Sequence, residues 1–296
     1  MYNSVEAFVA YLENDKKAPA NTISSYRRDL ASFYAYAEER GIRKISSVSS
    51  KLIEDYLRFL GAEGKKPSTI SRAGSSIRSF FRFLGVKGEL TVNPAKNVHV
   101  TPHARTLPNV LTGREVDELL AQPRPDTPKG MRDKAMLELL YATGMRVTEL
   151  IKLDLSDVNY EVGFVRVLGE KDERCVPLYP AAVKLLREYV DRVRSMLAYR
   201  EDETALFLNL SGERISRQGF WKMLKSYSSS AGIKKDITPQ TLRHSFAMHL
   251  LENGADMKVV SDMMGHTNAA SVQVYNEMLR QKVKSSYANY HPHARA

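Results

Sequence analysis

Hydrophobic positions recur at helical spacing in four consecutive segments of the first 90 residues. Each segment opens near a Ser or Asn that can cap a helix, and Gly41, Gly61 and Gly85 mark the expected ends of the last three. Because each apolar stripe must be buried, we predict a bundle of four short helices. The segments cover approximately residues 3–14, 21–41, 50–60 and 68–84.

The pattern stops at residues 93–110, which contain three prolines and no helical stripe. Each proline disfavours helix in the residue before it, so we expect an extended linker. The sequence thus predicts a helical domain over residues 1–92, a linker over 93–110 and a second domain over 111–296.

The second domain combines helical stripes with one β-prone stretch. Alternating apolar residues around a polar turn predict a β-hairpin between residues 159 and 180, with Val165, Val167, Val176 and Leu178 facing inward. The fold class that follows is mainly α, with a small antiparallel β-sheet in the second domain. The predicted helices cover approximately residues 112–121, 131–141, 180–198, 216–231, 239–253, 256–264 and 268–280.

The amino-acid composition excludes several classes of protein. The apolar stretches are too short to span a membrane, and the first residues lack the basic start of a signal peptide. Cys175 is the single cysteine, which excludes an internal disulfide and a cysteine-based zinc cluster. The acidic residues are scattered without metal-ligand spacing. We therefore expect a cytoplasmic protein with no cofactor.

Positive charge is concentrated in the first domain. The chain has a net charge of +10, and residues 1–107 hold 17 Lys and Arg against 10 Asp and Glu. Cations interleaved with small hydroxyl side chains suit a helix that lies on a sugar–phosphate backbone, although a solvated basic surface would look similar. The candidate DNA-binding residues, on or just before the fourth helix, are Lys65, Lys66, Arg72, Arg78 and Arg82.

Four residues of the second domain could act on a phosphodiester. They are Arg146, after a predicted helix end, Arg243, within a helix, His266, at a helix junction, and Tyr275, nine residues later. Taken singly, each has an ordinary explanation: ion pairing with a carboxylate such as Glu149, helix capping, or core packing. Their chemical types only become informative together.

Together these groups supply what metal-free phosphodiester cleavage needs. A tyrosine can attack phosphorus and keep the bond energy in a phosphotyrosyl link, while two guanidiniums and an imidazole neutralise the phosphate oxygens. The departing 5′ oxygen needs an acid, and Lys171 at the predicted hairpin tip is the best candidate. A solvated turn lysine is the alternative explanation of Lys171.

With these residues in hand, the chain resembles the tyrosine recombinases, and most closely the bacterial Xer type. The resemblance covers nearly the whole chain and is carried by the motifs ATGMRVTEL, VRVLGEKDERCVPL, TLRHSFAMHLLENGAD and VVSDMMGHTNAASVQVY. It implies a SAM-like core-binding domain and a catalytic domain that form a C-shaped clamp around double-stranded DNA. It also implies a C-terminal segment that docks on a neighbouring protomer in a homo- or hetero-tetramer.

The resemblance assigns roles to the candidate residues. Arg146 and Arg243 would bind the scissile phosphate, Lys171 would be the acid, His266 would contact the phosphate and Tyr275 would attack. The implied function is site-specific recombination, with chromosome dimer resolution favoured because no arm-binding domain precedes the first bundle. An activating protein is a possible further partner.

Two departures from the family pattern bear on activity. Gln240 stands where the family usually has the histidine of an HxxR motif, and the hairpin turn is one residue shorter than usual. Glutamine can donate a hydrogen bond but is no base near neutral pH, so we expect reduced cleavage. His244 should point about 100° away from Arg243 and serve the structure.

Two alternatives to this function stay open on the sequence alone. One is a mobile-element integrase or resolvase of the same family. The other is a DNA-binding module whose catalysis is weakened by Gln240.

Overall fold

The computed structural model describes residues 2–98, 107–169, 173–265, 269–290 and 293. The chain divides into two compact units, Met1–Arg105 and Thr106–Ala296. Among the described residues, no helix is both long and apolar enough to cross a membrane.

The N-terminal unit is built from four helices, as the periodicity predicts. Residues from all four form its core, in which Phe8 meets Phe80 edge-on with ring centroids 5.5 Å apart. Ser49 caps the third helix by accepting a hydrogen bond from the Leu52 N–H. The helices are α1 (Tyr2–Asn14), α2 (Ala20–Glu38), α3 (Ser50–Ala62) and α4 (Pro67–Val86).

Two of the expected helix ends are wrong by a few residues. Gly61 and Gly85 lie inside α3 and α4, and the chain turns instead at Gly64 and Gly88, which have φ of +70° and +74°. A glycine ends a helix only where the backbone enters the left-handed region, and each of these helices has a second glycine three residues later that does so.

The first residues of the predicted linker pack on the N-terminal unit. Ala95 and Val98 are buried in its core, and the Ser50 hydroxyl donates to the Pro94 carbonyl. Residues 99–106, the middle of the predicted linker, lie outside the described residues.

The second unit surrounds a large core with helices and carries a small sheet. The sheet has the strand order β1-β2-β3 with antiparallel pairing, and Val165 pairs with Val176. The predicted hairpin is β2 with β3, and its four inward residues are buried. The strands are β1 (Val158–Asn159), which the pattern does not predict, β2 (Phe164–Leu168) and β3 (Glu173–Pro177).

Most helices of this unit follow the predicted segments, and the expectation of a mainly helical chain with a small antiparallel sheet is confirmed. The prediction that the last helix ends near residue 280 is wrong, because this helix continues to Tyr290 through a stretch without glycine or proline. The stretch expected as one helix over 180–198 contains a π-helical turn at Val190–Arg194. The helices are α5 (Gly113–Leu120), α6 (Pro128–Thr143), α7 (Val147–Leu150), α8 (Pro180–Tyr189), α9 (Ser195–Leu197), α10 (Arg217–Ser230), α11 (Pro239–Glu252), α12 (Met257–Met264) and α13 (Ala269–Tyr290).

Candidate active site

Gly144 creates the junction that presents Arg146. It ends α6 in the left-handed conformation at φ +58°, and a Cβ there would lie 2.2 Å from Cδ1 of Phe246 on α11. Only glycine fits this turn without displacing the aromatic ring. The sequence prediction of a helix end here is confirmed, and it places Arg146 immediately before α7.

Glu149 joins two arginines from different elements. Its carboxylate accepts from Arg146 Nη1 at 2.9 Å and from Arg174 Nη1 and Nη2, on β3, at 3.1 and 2.8 Å. It also accepts from the Arg146 backbone N–H at 2.7 Å. Burial would raise the pKa of Glu149, but the hydrogen bonds from Arg174 and Arg146 outweigh it and lower the pKa below its usual value. Glu149 is therefore ionised and holds the side chains of Arg146 and Arg174 in place.

Arg243 lies at the centre of this region, with only 1% of its surface exposed. Its Nη1 donates to the Gly144 carbonyl at 2.5 Å and its Nη2 to the Met264 carbonyl at 2.6 Å. Among the described residues, no carboxylate forms an ion pair with it. Burial and the nearby charge of Arg146 lower its pKa to about 10. The site thus holds excess positive charge.

Arginines from three elements hold the end of α12. The carbonyl oxygens of Met263, Met264 and Gly265 accept from Arg174 Nε at 2.7 Å, Arg243 Nη2 at 2.6 Å and Arg146 Nη2 at 3.2 Å. The last carbonyls of a helix have no partner within the helix and carry partial negative charge, which cations satisfy. The arginine cluster therefore fixes the chain just before residue 266.

Tyr275 of α13 is buried beside this cluster, with 2% of its surface exposed. Burial raises its pKa to about 12, and the opposing influence of the Arg243 charge is smaller. The hydroxyl is hydrogen-bonded to His244 Nδ1 at 2.9 Å. Its surroundings are the buried residues Phe246, Ala247, Met248, Val260 and Met264.

His244 is a residue whose contact the sequence reasoning missed. We expected it to serve only the structure, whereas its Nδ1 meets Tyr275 and its Nε2 lies 3.2 Å from the Gln240 Nε2 amide. The spacing of four residues between Gln240 and His244 places both on one face of α11, which was a usable signal. Burial, followed by the Arg243 charge, lowers the pKa of His244 to about 4, so the imidazole is neutral.

Comparison with known proteins identifies the family to which this chain belongs. The phage integrase family model matches residues 109–282, and the model of the phage integrase N-terminal SAM-like domain matches residues 5–88. The chain belongs to the phage integrase family. The resemblance to the tyrosine recombinases of the Xer type is confirmed by its curated relatives.

The relatives match along their full length. Tyrosine recombinase XerD of Oceanobacillus iheyensis is 43% identical over 295 residues, covering 98% of this chain and 99% of that protein. Tyrosine recombinase XerD of Listeria innocua is 40% identical over 299 residues, covering 99% and 100%.

Solved structures agree on the fold. XerA recombinase is 26% identical with a TM-score of 0.54, covering 98% of this chain and 99% of that one. XerH recombinase in a post-cleavage complex with palindromic difH substrate has a TM-score of 0.78 at 19% identity, covering 92% and 81%. A lambda integrase tetramer bound to a Holliday junction has a TM-score of 0.71 at 18% identity, covering 93% and 76%.

Two of the site residues expected in this tyrosine recombinase, Lys171 and His266, lie outside the described residues. The structure places the chain on either side of them. The strands β2 and β3 flank the segment of Lys171, and the Gly265 carbonyl, bonded to Arg146, immediately precedes His266. Arg146, Gln240, Arg243 and Tyr275 are described.

The cations expected to meet DNA in this recombinase fall into two groups. Lys65, Lys66 and Arg82 are exposed. Arg72 instead donates from Nη2 to the buried Asp29 at 2.9 Å, and Arg78 donates to the Val98 carbonyl at 3.4 Å. Arg72 and Arg78 thus have structural contacts in addition to any role at DNA.

Within the described part of the chain, no three His, Cys, Asp or Glu side chains are grouped so that they could hold a metal ion.

Proposed function

We propose that this chain is a site-specific recombinase of the XerD type that cleaves and rejoins double-stranded DNA through a covalent bond between Tyr275 and a 3′ phosphate. The observation that carries the proposal is the burial of Tyr275 in one cluster with the arginine-held end of α12. A phenol beside buried guanidiniums has both components of phosphodiester attack within one local structure.

The charge balance of the site supports phosphate binding by Arg146 and Arg243. Glu149 pairs with Arg146 and Arg174, whereas Arg243 has no carboxylate partner among the described residues, and burial followed by the charge of Arg146 lowers the pKa of Arg243. A phosphodiester would contribute the missing negative charge. Arg146 is accessible for it, because its side chain is 44% exposed. We assign the acid to Lys171 and a further phosphate contact to His266.

Tyr275 has to become accessible before it can attack, since its surface is 2% exposed. The hydroxyl has polar surroundings through His244, and the residues of α13 beyond Tyr275 are mostly exposed. We propose that DNA binding shifts α13 and brings the hydroxyl to the phosphate that Arg146 and Arg243 hold.

The assignment of the nucleophile is tested by Tyr275→Phe on a nicked suicide DNA substrate. We expect the variant to bind DNA like the parent and to form no covalent adduct, because only the attacking oxygen is removed. Denaturing electrophoresis of protein–DNA mixtures measures the adduct. Tyr287→Phe is the matched control on the same helix, where the side chain is exposed, and it should still form the adduct. A Tyr275→Phe adduct would contradict the assignment.

The setting of the reaction follows from the relatives. Their shared name, XerD, favours chromosome dimer resolution over a mobile-element role. We propose that the protein works in the cytoplasm on paired DNA sites, as a homo- or hetero-tetramer in which the C-terminal segment docks on a neighbouring protomer. An activating protein is a further proposed partner.

A further inference from the structure

His244 connects Gln240 to the tyrosine hydroxyl. Gln240 and His244 lie one helical turn apart on α11, and the imidazole is between the Gln240 amide at 3.2 Å and the Tyr275 hydroxyl at 2.9 Å. Both ring nitrogens of His244 therefore have a partner. An imidazole held at both nitrogens is fixed in orientation with one nitrogen on the reacting oxygen.

The attack on phosphorus requires the phenol to lose its proton. Burial has raised the pKa of Tyr275 to about 12, so the hydroxyl is protonated when DNA arrives. Of the described side chains around it, Arg243 and Gln240 cannot take a proton near neutral pH, whereas a neutral imidazole can. His244 Nδ1 already lies at hydrogen-bond distance from the phenolic oxygen, as proton transfer requires.

We propose that His244 is a catalytic residue, which accepts the phenolic proton of Tyr275 during cleavage, and that Gln240 is the positioning residue that holds its ring. The inference rests on the proposed recombinase function and deepens it. It also changes the expectation for Gln240, because an imidazole reaches Tyr275 although position 240 does not provide one.

The proton and the electron pairs balance in this step. The Tyr275 O–H bond breaks as the proton moves to His244 Nδ1, and the phenolic oxygen forms the bond to phosphorus. The bond from phosphorus to the 5′ oxygen breaks, and that oxygen takes a proton from the acid proposed at Lys171. In rejoining, the 5′ hydroxyl returns its proton to the residue proposed at Lys171 as it attacks phosphorus, and the imidazolium returns its proton to the departing phenolic oxygen.

Gln240 suits this task because its amide presents either a donor or an acceptor. Before proton transfer, its oxygen can accept from His244 Nε2–H and leave the Nδ1 lone pair for the phenol; that bond strengthens once the ring is charged. In the structure the amide nitrogen faces Nε2, which favours the tautomer in which Nδ1 donates to Tyr275, and rotation of the amide brings its oxygen to Nε2 instead. Whether Gln240 presents its amide oxygen or its amide nitrogen to the ring determines whether His244 Nδ1 can accept the phenolic proton.

Phosphate binding would also make His244 a better proton acceptor. Without DNA, burial and the Arg243 charge depress the pKa of His244 to about 4, which keeps the proton on the phenol. A phosphodiester beside Arg243 offsets that positive charge and makes the imidazolium less unfavourable. The nucleophile thus stays neutral until the substrate is in place.

His244→Asn removes the base while retaining a short polar side chain. On the suicide substrate we expect adduct formation to slow by about 100-fold or more, with DNA affinity unchanged. His249→Asn is the matched control, because His249 lies on the same helix and is bonded to Tyr141 and the Leu111 carbonyl instead. Cleavage by His244→Asn at the parental rate would overturn the proposal. Absence of an adduct from the parent would instead overturn the recombinase function.

A second substrate separates proton transfer from loss of structure. A strand ending in a 3′-p-nitrophenyl phosphate can be joined to a 5′ hydroxyl without Tyr275, and its leaving group needs no proton. We expect His244→Asn in a Tyr275→Phe background to join this substrate at close to the rate of Tyr275→Phe alone. Equal loss of cleavage and of joining would show that the arginine cluster is damaged, and would overturn the catalytic role.

The positioning role of Gln240 has its own test. Gln240→Leu should slow cleavage and leave p-nitrophenyl joining unchanged. The His244 ring loses the hydrogen bond that orients it, while the arginines remain in place. We expect Gln240→His, in contrast, to change the cleavage rate only slightly, since His244 already supplies the base. Parental cleavage by Gln240→Leu would overturn the role of Gln240.

Discussion

Glu149 is the residue on which the charges of the site depend. It is 6% exposed and is bonded to Arg146 and Arg174, and its charge also favours the charged form of Arg243. A buried carboxylate with such partners costs more to neutralise than a surface ion pair, because removing it leaves buried cations without compensation. Glu149 therefore contributes to stability, and its charge also affects the proposed phosphate site.

Glu149→Gln should destabilise the second unit by about 3 kcal/mol or more at neutral pH. Because folding lowers the pKa of Glu149, its contribution is present above the ordinary value of 4.5 and is lost as the pH falls below it. Urea unfolding of parent and variant at pH 7 and near pH 4 measures the difference. A gap in unfolding free energy that widens on acidification would contradict this assignment.

At the scale of the element, α12 and α13 are positioned by main-chain contacts. The last carbonyls of α12 bind three arginines, and Gly144 lets α6 approach Phe246 of α11 closely enough for Arg243 to reach both carbonyls. Helix α13, which carries Tyr275, starts within a few residues of this junction. Its position therefore depends on the backbone of α6 and α12.

Gly144→Ala should strongly destabilise the second unit, although it adds only one methyl group. The added Cβ would lie 2.2 Å from Phe246 Cδ1, and φ of +58° alone costs a non-glycine residue about 1 kcal/mol or more. We expect a clear loss of melting temperature together with slower cleavage. Gly113→Ala is the control, because no atom lies within 4 Å of its Cβ position, and its melting temperature should hardly change. Equal stability of the two variants would argue against the close approach.

The site was predictable where chemistry or spacing is local in the sequence. The helix ends at Gly144 and Gly265 and the inward residues of the hairpin follow from turn and period rules. The contacts of Arg174 and His244 do not follow from these rules, because they join β3 to α12 and α11 to α13. Such contacts depend on how helices pack, which the period of one helix does not specify.

At the scale of the whole molecule, positive charge separates into surface cations and structural cations. Lys65, Lys66 and Arg82 are exposed, whereas Arg72 neutralises the buried Asp29. Sequence alone gives these residues equal weight, since charge patterning does not reveal a buried partner on another helix. DNA affinity and stability should therefore respond to different members of the set.

Replacing Lys65 and Lys66 by Ala should reduce the slope of log affinity against log salt by up to about 2, since each phosphate contact contributes about 0.9. Titrations at several salt concentrations measure this slope. Lys184→Ala, an exposed lysine on α8, should leave the slope unchanged. Arg72→Ala should in addition lower the melting temperature, because Asp29 loses its partner. An unchanged slope in the Lys65 and Lys66 variant would remove these lysines from the DNA interface.

The arginines at the end of α12 contact peptide oxygens, which every amino acid possesses. Substitutions at exposed positions of α12 such as Val259 that preserve the helix can therefore accumulate over evolution without loosening these bonds, whereas Met264 is constrained by its packing around Tyr275. Exchange of the segment from α12 onward between distant relatives should be tolerated for the same reason, provided that the three guanidiniums stay with the recipient. The C-terminal helix is thus free to diversify its outer surface while its attachment remains constant.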